Sequence, residues 1–561
     1  MPQAARSYLM VLVLGALVAP YFVNLDANSL WDTKESYAAE APREMLESGD
    51  LSSPMFNYRP RTVKPPLGYW VVALSYRLFG IGEFAVRLPA ALAAAGTILL
   101  VWRIARLFFS PWAALAAAAM AATTPRFYII ARKDPLDAML LFWLVASAAC
   151  LLRSERERSL GAWLLAWLCA GLGFLTKGPI ALLIPGASWL AAHLWARSRR
   201  IGPGRLLLAA AAFAAAVAPW YLWTYGRHGT LYITGFLLQE NLGRYLSQSF
   251  GPARGPLYYV AVFAVDFFPW SLAAAAAAVD LWRRRRMVAE HRTFGDAFLV
   301  IWPLFVFLFF SLSRNKQEYY ILPMYPILSV WIAGAAERSM RAGEPGAARA
   351  WGWALMAASL SLLGLGIAVP LAWPSVMPIV TASLLLPPVI VLLLGSMAPA
   401  IAAIRGKPLA GIFGLVAPTY LLVSLLSWIY LPALEPFHPV KALCAAIAAQ
   451  AGPADEVGYY REAFPSMVFY LRRPIFEELD EESMVRRLQG PARIFCIMSE
   501  RDYSYFVAQR DLILYILDRR ERLVTQLRAM SDRRSAVGQE LVVVSNRPPA
   551  EDASAGGPAI P

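Results

Sequence analysis

Apolar runs close to 20 residues long, the length at which a helix crosses a bilayer, recur from the start of this chain almost to its end. About thirteen can be read. They are Leu9–Asn24, Phe84–Phe108, Pro111–Ile130, Leu136–Leu152, Leu160–Leu175, Pro179–Ala196, Leu206–Tyr225, Leu257–Trp282, Phe298–Leu312, Tyr320–Ala336, Ala350–Ala372, Val376–Ala403 and Leu409–Tyr430. Within lipid every backbone polar group must be satisfied by its own segment, so a chain of this kind folds as a bundle of membrane helices. With 58% hydrophobic residues it reads as polytopic and mostly α. The first run follows a weakly charged start and lacks a small-residue cleavage site, so it reads as an uncleaved span.

Alternate loops are basic. Arg153, Arg156 and Arg158 stand in one, Arg197, Arg199, Arg200 and Arg205 in the next, and Arg283–Arg286 in another. Arg338, Arg341 and Arg349 continue the series, which Arg405 and Lys407 close. The positive-inside rule makes these loops cytoplasmic. The net charge of +14 is then a matter of topology, and no nucleic-acid partner is needed to explain it. An odd number of spans places the N-terminus inside and the C-terminus outside.

The first polar stretch, Leu30–Trp70, lies on the outer side and belongs to a loop over residues 25–83. Asp32 can N-cap a helix, with Glu35 completing a capping box. The helix is expected to run to about Glu47 and to stop at Gly49, with Glu40 and Arg43 one turn apart. Lys64 precedes Pro65 and Pro66 in an extended segment. The amphipathic PLGYWVVALSYRLFG follows and would lie along the membrane surface. The stretch is either a solvated loop or a catalytic loop with carboxylates and a cation at the mouth of a cavity.

Ionisable groups at membrane depth are costly, which makes each one a candidate for function. Asp137 opens a span three residues after Asp134, and either carboxylate could simply cap that helix. Lys177 sits between two spans at a Gly178–Pro179 turn, where a snorkelling lysine is the alternative. Arg244 follows an amphipathic stretch, and Arg314, Lys316 and Glu318 precede Tyr319 and Tyr320 at a span entrance. All face the same side as Glu35, Glu40 and Lys64. Such a cavity suits phosphate, which arginine holds in bidentate fashion and lysine as a point charge, while a carboxylate can act as general base. No Walker loop or glycine-rich nucleotide fingerprint accompanies these cations, so a phosphate donor embedded in the bilayer points to a lipid phosphate.

From about Leu434 the pattern becomes that of a soluble domain, expected over 434–546. DEVGYY, ARIFCIMSE and QELVVVSNR read as strands and EESMVRRLQ as a helix, which gives a small α/β domain. The tail, 547–561, reads as disordered. Cys444 and Cys496 share this domain and could form one bridge, whereas Cys150 and Cys169 lie in apolar spans. The four histidines are scattered and no metal spacing is present.

LW…E…AAE…REML.SGD, KPPLGYW, LDAMLLFWL, GFLTKGP and YYILPMYP, in that order, resemble the bacterial aminoarabinose transferase family. That family consists of C-type (GT-C) glycosyltransferases related to the protein O-mannosyltransferases. The resemblance implies thirteen membrane helices, juxtamembrane helices, a periplasmic C-terminal domain and a polyprenyl-phosphate sugar donor, usually undecaprenyl phosphate. It places Lys64, Lys177 and Arg244 at the donor phosphate, to which the residue reading above adds Arg314 and Lys316 as further cations. Asp137 matches the acidic residue that opens the fourth span, and Glu40, Tyr319 and Tyr320 line the cavity. Two positions depart from the family. Its Asp-Glu pair reads Lys34 and Glu35, which leaves Glu35 or Asp137 as the base. Its zinc-binding glutamate reads Val63, so a divalent metal has no support in the residues and no cofactor is expected.

The function that follows is inverting transfer of a sugar from polyprenyl phosphate to a lipid A, glycan or protein acceptor. A transporter or flippase for a lipid-linked substrate is the alternative. Transporters often carry paired broken helices in two matching halves, a symmetry this sequence lacks.

Overall fold

The computed structural model describes residues 3–197, 202–246, 254–285, 293–342, 345–376, 382–522 and 539–549. Nine of the described helices are long and apolar enough to cross a membrane, and two bent pairs raise the number to eleven. The shorter apolar helices Tyr8–Tyr21 and Ile180–Trp195 occupy the first and sixth of the expected positions. The chain is a multi-pass membrane protein built mostly of helices. Both bends have a proline at the break. Pro125 restarts a helix after Ala122 at 58°, and Pro269 stands at the 112° corner between Tyr258–Asp266 and Trp270–Arg283. In the helix Pro111–Ala122 every residue from Ala113 to Ala122 is buried, because small side chains let neighbouring helices approach closely.

Within the opening loop, a helix runs over Lys34–Ser48 and ends at Gly49, whose φ of 73° suits a residue without a Cβ. Its start differs from the expected capping box. Thr33 takes the cap position, while Asp32 accepts hydrogen bonds from Ser36 Oγ (2.7 Å) and from Ser466 N and Oγ (both 2.8 Å). Asp32 therefore ties this loop to a helix more than 400 residues later in the chain. A hairpin of β1 (Met55–Phe56) and β2 (Arg59–Pro60) follows, with Asn57 and Tyr58 at φ 54° and 59°. Two consecutive left-handed residues make the turn twist with its strands. The amphipathic stretch forms the helix Leu67–Phe79, where Tyr76 donates to the Ala39 carbonyl (2.8 Å) and Trp70 to that of Leu51 (2.6 Å).

The C-terminal region holds a five-stranded sheet in the order β4-β3-β5-β7-β6. Its strands are β3 (Glu456–Tyr460), β4 (Phe476–Glu478), β5 (Ile494–Ser499), β6 (Tyr515–Arg522) and β7 (Gln539–Ser545). β4, β3 and β5 are parallel, and β7 and β6 are antiparallel. The inner strands read as continuous apolar runs because both faces are covered. Val457, Phe495 and Val543 point into one layer, which also holds Phe56 of the hairpin; Cys496, Met498 and Val542 point into the other. Asn57 pairs reciprocally with the backbone of Ile475 at 2.8 Å in each direction, which seats the sheet on the opening loop. Cys444 and Cys496 are free thiols in the two separate layers, so the bridge open to them in the sequence is not made. Residues 550–561, most of the tail expected to be disordered, lie outside the described residues.

Candidate active site

Consecutive residues of a helix point about 100° apart, and this separates Lys34 from Glu35. Lys34 faces Asp134 and Asp137. Its Nζ lies 3.4 Å from Asp134 Oδ2 and 3.9 Å from Asp137 Oδ2, and 3.0 Å from the centre of the Tyr319 ring. Lys177, the last residue of the helix Leu160–Lys177, forms an ion pair with Asp137 Oδ1 and stands 5.1 Å from the same ring. Asp134 sits at the cap of the helix Pro135–Glu157, where its Oδ1 accepts from Asp137 N at 3.2 Å. The capping reading of Asp134 therefore holds, yet its second oxygen remains turned toward Lys34. Burial, with the Asp137 carboxylate beside it, pushes the Asp134 carboxyl up to about 6.

Glu35 belongs to a different arrangement. Arg87 Nε and Nη2 donate to its two oxygens at 2.6 and 3.0 Å, and Trp31 N donates at 2.7 Å. Arg87 also donates to the carbonyls of Leu25, Asn28 and Ser29, and both side chains are almost fully buried. As the base expected in the sequence, Glu35 would have to leave this pair. Glu40 is likewise buried, in a bidentate pair with Arg43 at 2.6 and 2.8 Å, and so braces the opening helix instead of lining a cavity.

The remaining candidates divide. Lys64 Nζ lies 4.0 Å from Glu240 Oε2. Lys316 is buried and donates to the Ser313 carbonyl of its own turn, while Arg314 is exposed. Tyr319 joins the lysine cluster, whereas Tyr320 packs against Phe310 with ring centres 5.1 Å apart. Arg244 begins the short turn Arg244–Leu246, and its side chain lies outside the described residues. Sequence reasoning missed two pairs near the span entrances. Arg126 holds Asp266 in bidentate fashion at 2.7 and 2.8 Å. Arg254 lies 2.9 Å from Glu318, which also accepts from Tyr258 at 2.8 Å. Asp266 was legible as one of two acids, with Asp280, inside the apolar run Leu257–Trp282. Among the described residues no group of three or more His, Cys, Asp or Glu is placed to hold a metal ion.

The sequence and the fold have known counterparts. Residues 63–223, which include Lys64, Asp134, Asp137 and Lys177, match a family model described as dolichyl-phosphate-mannose-protein mannosyltransferase. The undecaprenyl phosphate-alpha-4-amino-4-deoxy-L-arabinose arabinosyl transferase of Pseudomonas aeruginosa strain LESB58 is 34% identical over 356 residues. That alignment covers 62% of this chain and 62% of the relative. Its counterpart from Pectobacterium atrosepticum is 32% identical over 383 residues, covering 64% and 65%. The chain thus spans a little under two thirds of the length of these curated relatives. The fold agrees along nearly the whole chain. ArnT from Cupriavidus metallidurans bound to undecaprenyl phosphate superposes with a TM-score of 0.74 at 23% identity, over 98% of this chain and 99% of that one. The chain is similar in sequence to the bacterial aminoarabinose transferases over a little under two thirds of its length, and shares their fold. Lys34, at the position read as the family's acidic residue, brings its ammonium between Asp134 and Asp137.

Proposed function

We propose that this protein is an inverting glycosyltransferase that moves a sugar from polyprenyl phosphate to an acceptor hydroxyl. The observation that carries the reading is the Asp134–Asp137 pair bracketed by Lys34 and Lys177 at one end of a membrane bundle. Asp134 takes the proton of the acceptor as its oxygen attacks the anomeric carbon. The bond from that carbon to the phosphate oxygen breaks in the same displacement, which inverts the centre. Lys177 and Lys64, with Arg244, receive the phosphate charge that develops on the leaving lipid, and Asp137 keeps Lys177 in place until the donor arrives. Glu35 positions the opening helix through Arg87 and takes no part in the proton transfer.

The alternation of basic loops supports an inner-membrane protein with this site and the C-terminal sheet on the periplasmic side. The acceptor is a lipid, glycan or protein of that compartment. The test is an assay of purified protein with a polyprenyl-phosphate sugar, reading the polyprenyl phosphate released and the anomeric configuration of the product. Release with inversion supports the reading. Movement of the intact donor across a vesicle membrane, without release, replaces it with transport.

A further inference from the structure

Three helices of the bundle, two of which carry Asp137 and Tyr319 of the candidate active site, build a second site at their far ends. Asp137 and Arg156 lie on one helix, about 28 Å apart at 1.5 Å per residue. The helices Glu83–Phe108 and Glu318–Ala342 likewise run away from the site and end beside Arg156. There they enclose a cavity of about 570 Å³ with an aromatic floor and a charged rim. Phe108 packs onto Gly295 and Phe109 onto Gly334, positions where a Cβ would collide with the rings. Arg156 lies over the Phe108 ring (5.9 Å) and Arg338 over that of Phe109 (5.5 Å). Neither arginine makes an ion pair among the described residues. Three carboxylates, those of Glu155, Asp296 and Glu337, share the rim.

On the other side of Glu337 and its ion-pair partner Arg341 opens a second cavity of about 590 Å³. Its walls are mostly apolar, from Trp112, Met340, Leu409 and Phe413. A polar cavity and an apolar one thus meet at a single residue pair, at the level where the helices leave the apolar slab. We propose that this is a phospholipid site for a zwitterionic, phosphate-and-ammonium headgroup, with an acyl chain in the apolar cavity. The guanidiniums suit a phosphodiester, and the aromatic rings beneath them limit their hydration. The rim carboxylates supply the partner for an ammonium, and they would repel a lipid that carries negative charge alone. Basic pockets between helices at this membrane face are a recognised setting for headgroups.

The test uses full-length protein purified in detergent, stripped of lipid and offered phosphatidylethanolamine, phosphatidylglycerol or undecaprenyl phosphate, with bound lipid counted by native mass spectrometry. Phosphatidylethanolamine should be retained preferentially, at one per chain. Arg156→Ala with Arg338→Ala should lower its retention at least tenfold. Asp296→Asn, at the exposed rim, should reduce the preference for phosphatidylethanolamine over phosphatidylglycerol several-fold, and this readout stands even if the double arginine variant fails to fold. Equal retention of phosphatidylethanolamine by wild type and a folded double variant would overturn the proposal. So would a wild-type preference for phosphatidylglycerol; undecaprenyl phosphate held at the active site adds to the count without bearing on this one.

Discussion

Asp137 and Lys177 meet across two helices, forty residues apart in sequence, and Lys34 approaches the other oxygen of the same carboxylate at 3.9 Å. Its Oδ1 is taken by Lys177, which makes Asp137 the counter-ion of that lysine, while its Oδ2 accepts no hydrogen bond among the described residues. Among those residues Asp134 makes no direct ion pair of the Lys177 kind; Lys34 stands 3.4 Å from its Oδ2, and this is the carboxylate assigned to receive the proton.

Its titration gives the first prediction. With the carboxyl pushed up to about 6, Asp134 is ionised at neutral pH and protonated under mild acid. A general base works only when deprotonated, so kcat should fall as pH drops through about 6. Asp134→Asn should lower turnover by roughly 10²- to 10⁴-fold, the usual scale for losing such a group, and remove that acid limb. A pH–rate series from 5 to 8 on both proteins checks it; full activity in a folded Asp134→Asn would exclude the role.

Glu35 should behave differently. Glu35→Gln keeps the shape but leaves Arg87 as a buried charge without its counter-ion. Breaking a buried pair in this way costs about 3–5 kcal/mol. The variant should melt well below wild type, while the folded fraction keeps turnover within a few-fold. If stability is unchanged and turnover collapses, Glu35 is the base after all.

Much of this was readable in the residues, and the division has a physical cause. Apolar run length is a local property, so the spans, the stop at Gly49 and the Lys177–Gly178 turn follow from it. The one-turn spacing of Glu40 and Arg43 likewise foretells their pairing. The partners of Glu35 and Asp32 are not local. Arg87 stands 52 residues away and Ser466 stands 434 away, and no spacing rule links them. β4 and β6 are the two edge strands of their sheet, with short or charged sequences, which weakens the strand pattern that marked β3, β5 and β7. Lys34 was visible as a departure from the family, but its place between Asp134 and Asp137 required the helix to begin two residues later than Asp32.

Glu44 provides a test of the opening helix that is independent of turnover. Its Oε2 accepts from Tyr58 N at 3.0 Å, and burial together with the neighbouring Glu40 pushes its carboxyl up to about 8. Below about 4.5 the folded and unfolded chains both hold this proton. Between about 4.5 and 8 the unfolded chain has lost it and the folded chain has not, so folding stability falls as pH rises across that window. Glu44→Gln keeps a donor toward Glu40 at every pH. Its melting temperature should gain on wild type between pH 5 and 8, and parallel curves for the two proteins would contradict the assignment.

Asp32 predicts how firmly the C-terminal sheet is seated. It caps the helix Ser466–Leu471 by accepting from Ser466 N and Oγ, a contact of the kind worth about 0.5–2 kcal/mol. Asp32→Ala should speed amide exchange over residues 466–471 and in the hairpin that carries Phe56 and Asn57, while the membrane helices exchange as before. Unchanged exchange at both places would show that the hairpin alone holds the sheet.

Lys34 yields the sharpest test, because its effect has a sign. Of the charges around Asp134, burial and Asp137 raise the carboxyl, and Lys34 is the first of those that lower it. Lys34→Met keeps the apolar stem that lies against Tyr319 but removes the ammonium. Asp134 should then hold its proton to higher pH, so the acid limb of the rate profile moves upward while the limiting rate at high pH changes less. A structural role for Lys34 would lower activity evenly across pH and leave the limb where it was. If Lys34 instead serves only to bind an anionic part of the substrate, Lys34→Met should raise KM and leave the kcat limb near 6. The direction of the shift therefore separates a lysine that tunes the base from one that merely fills the space between two carboxylates.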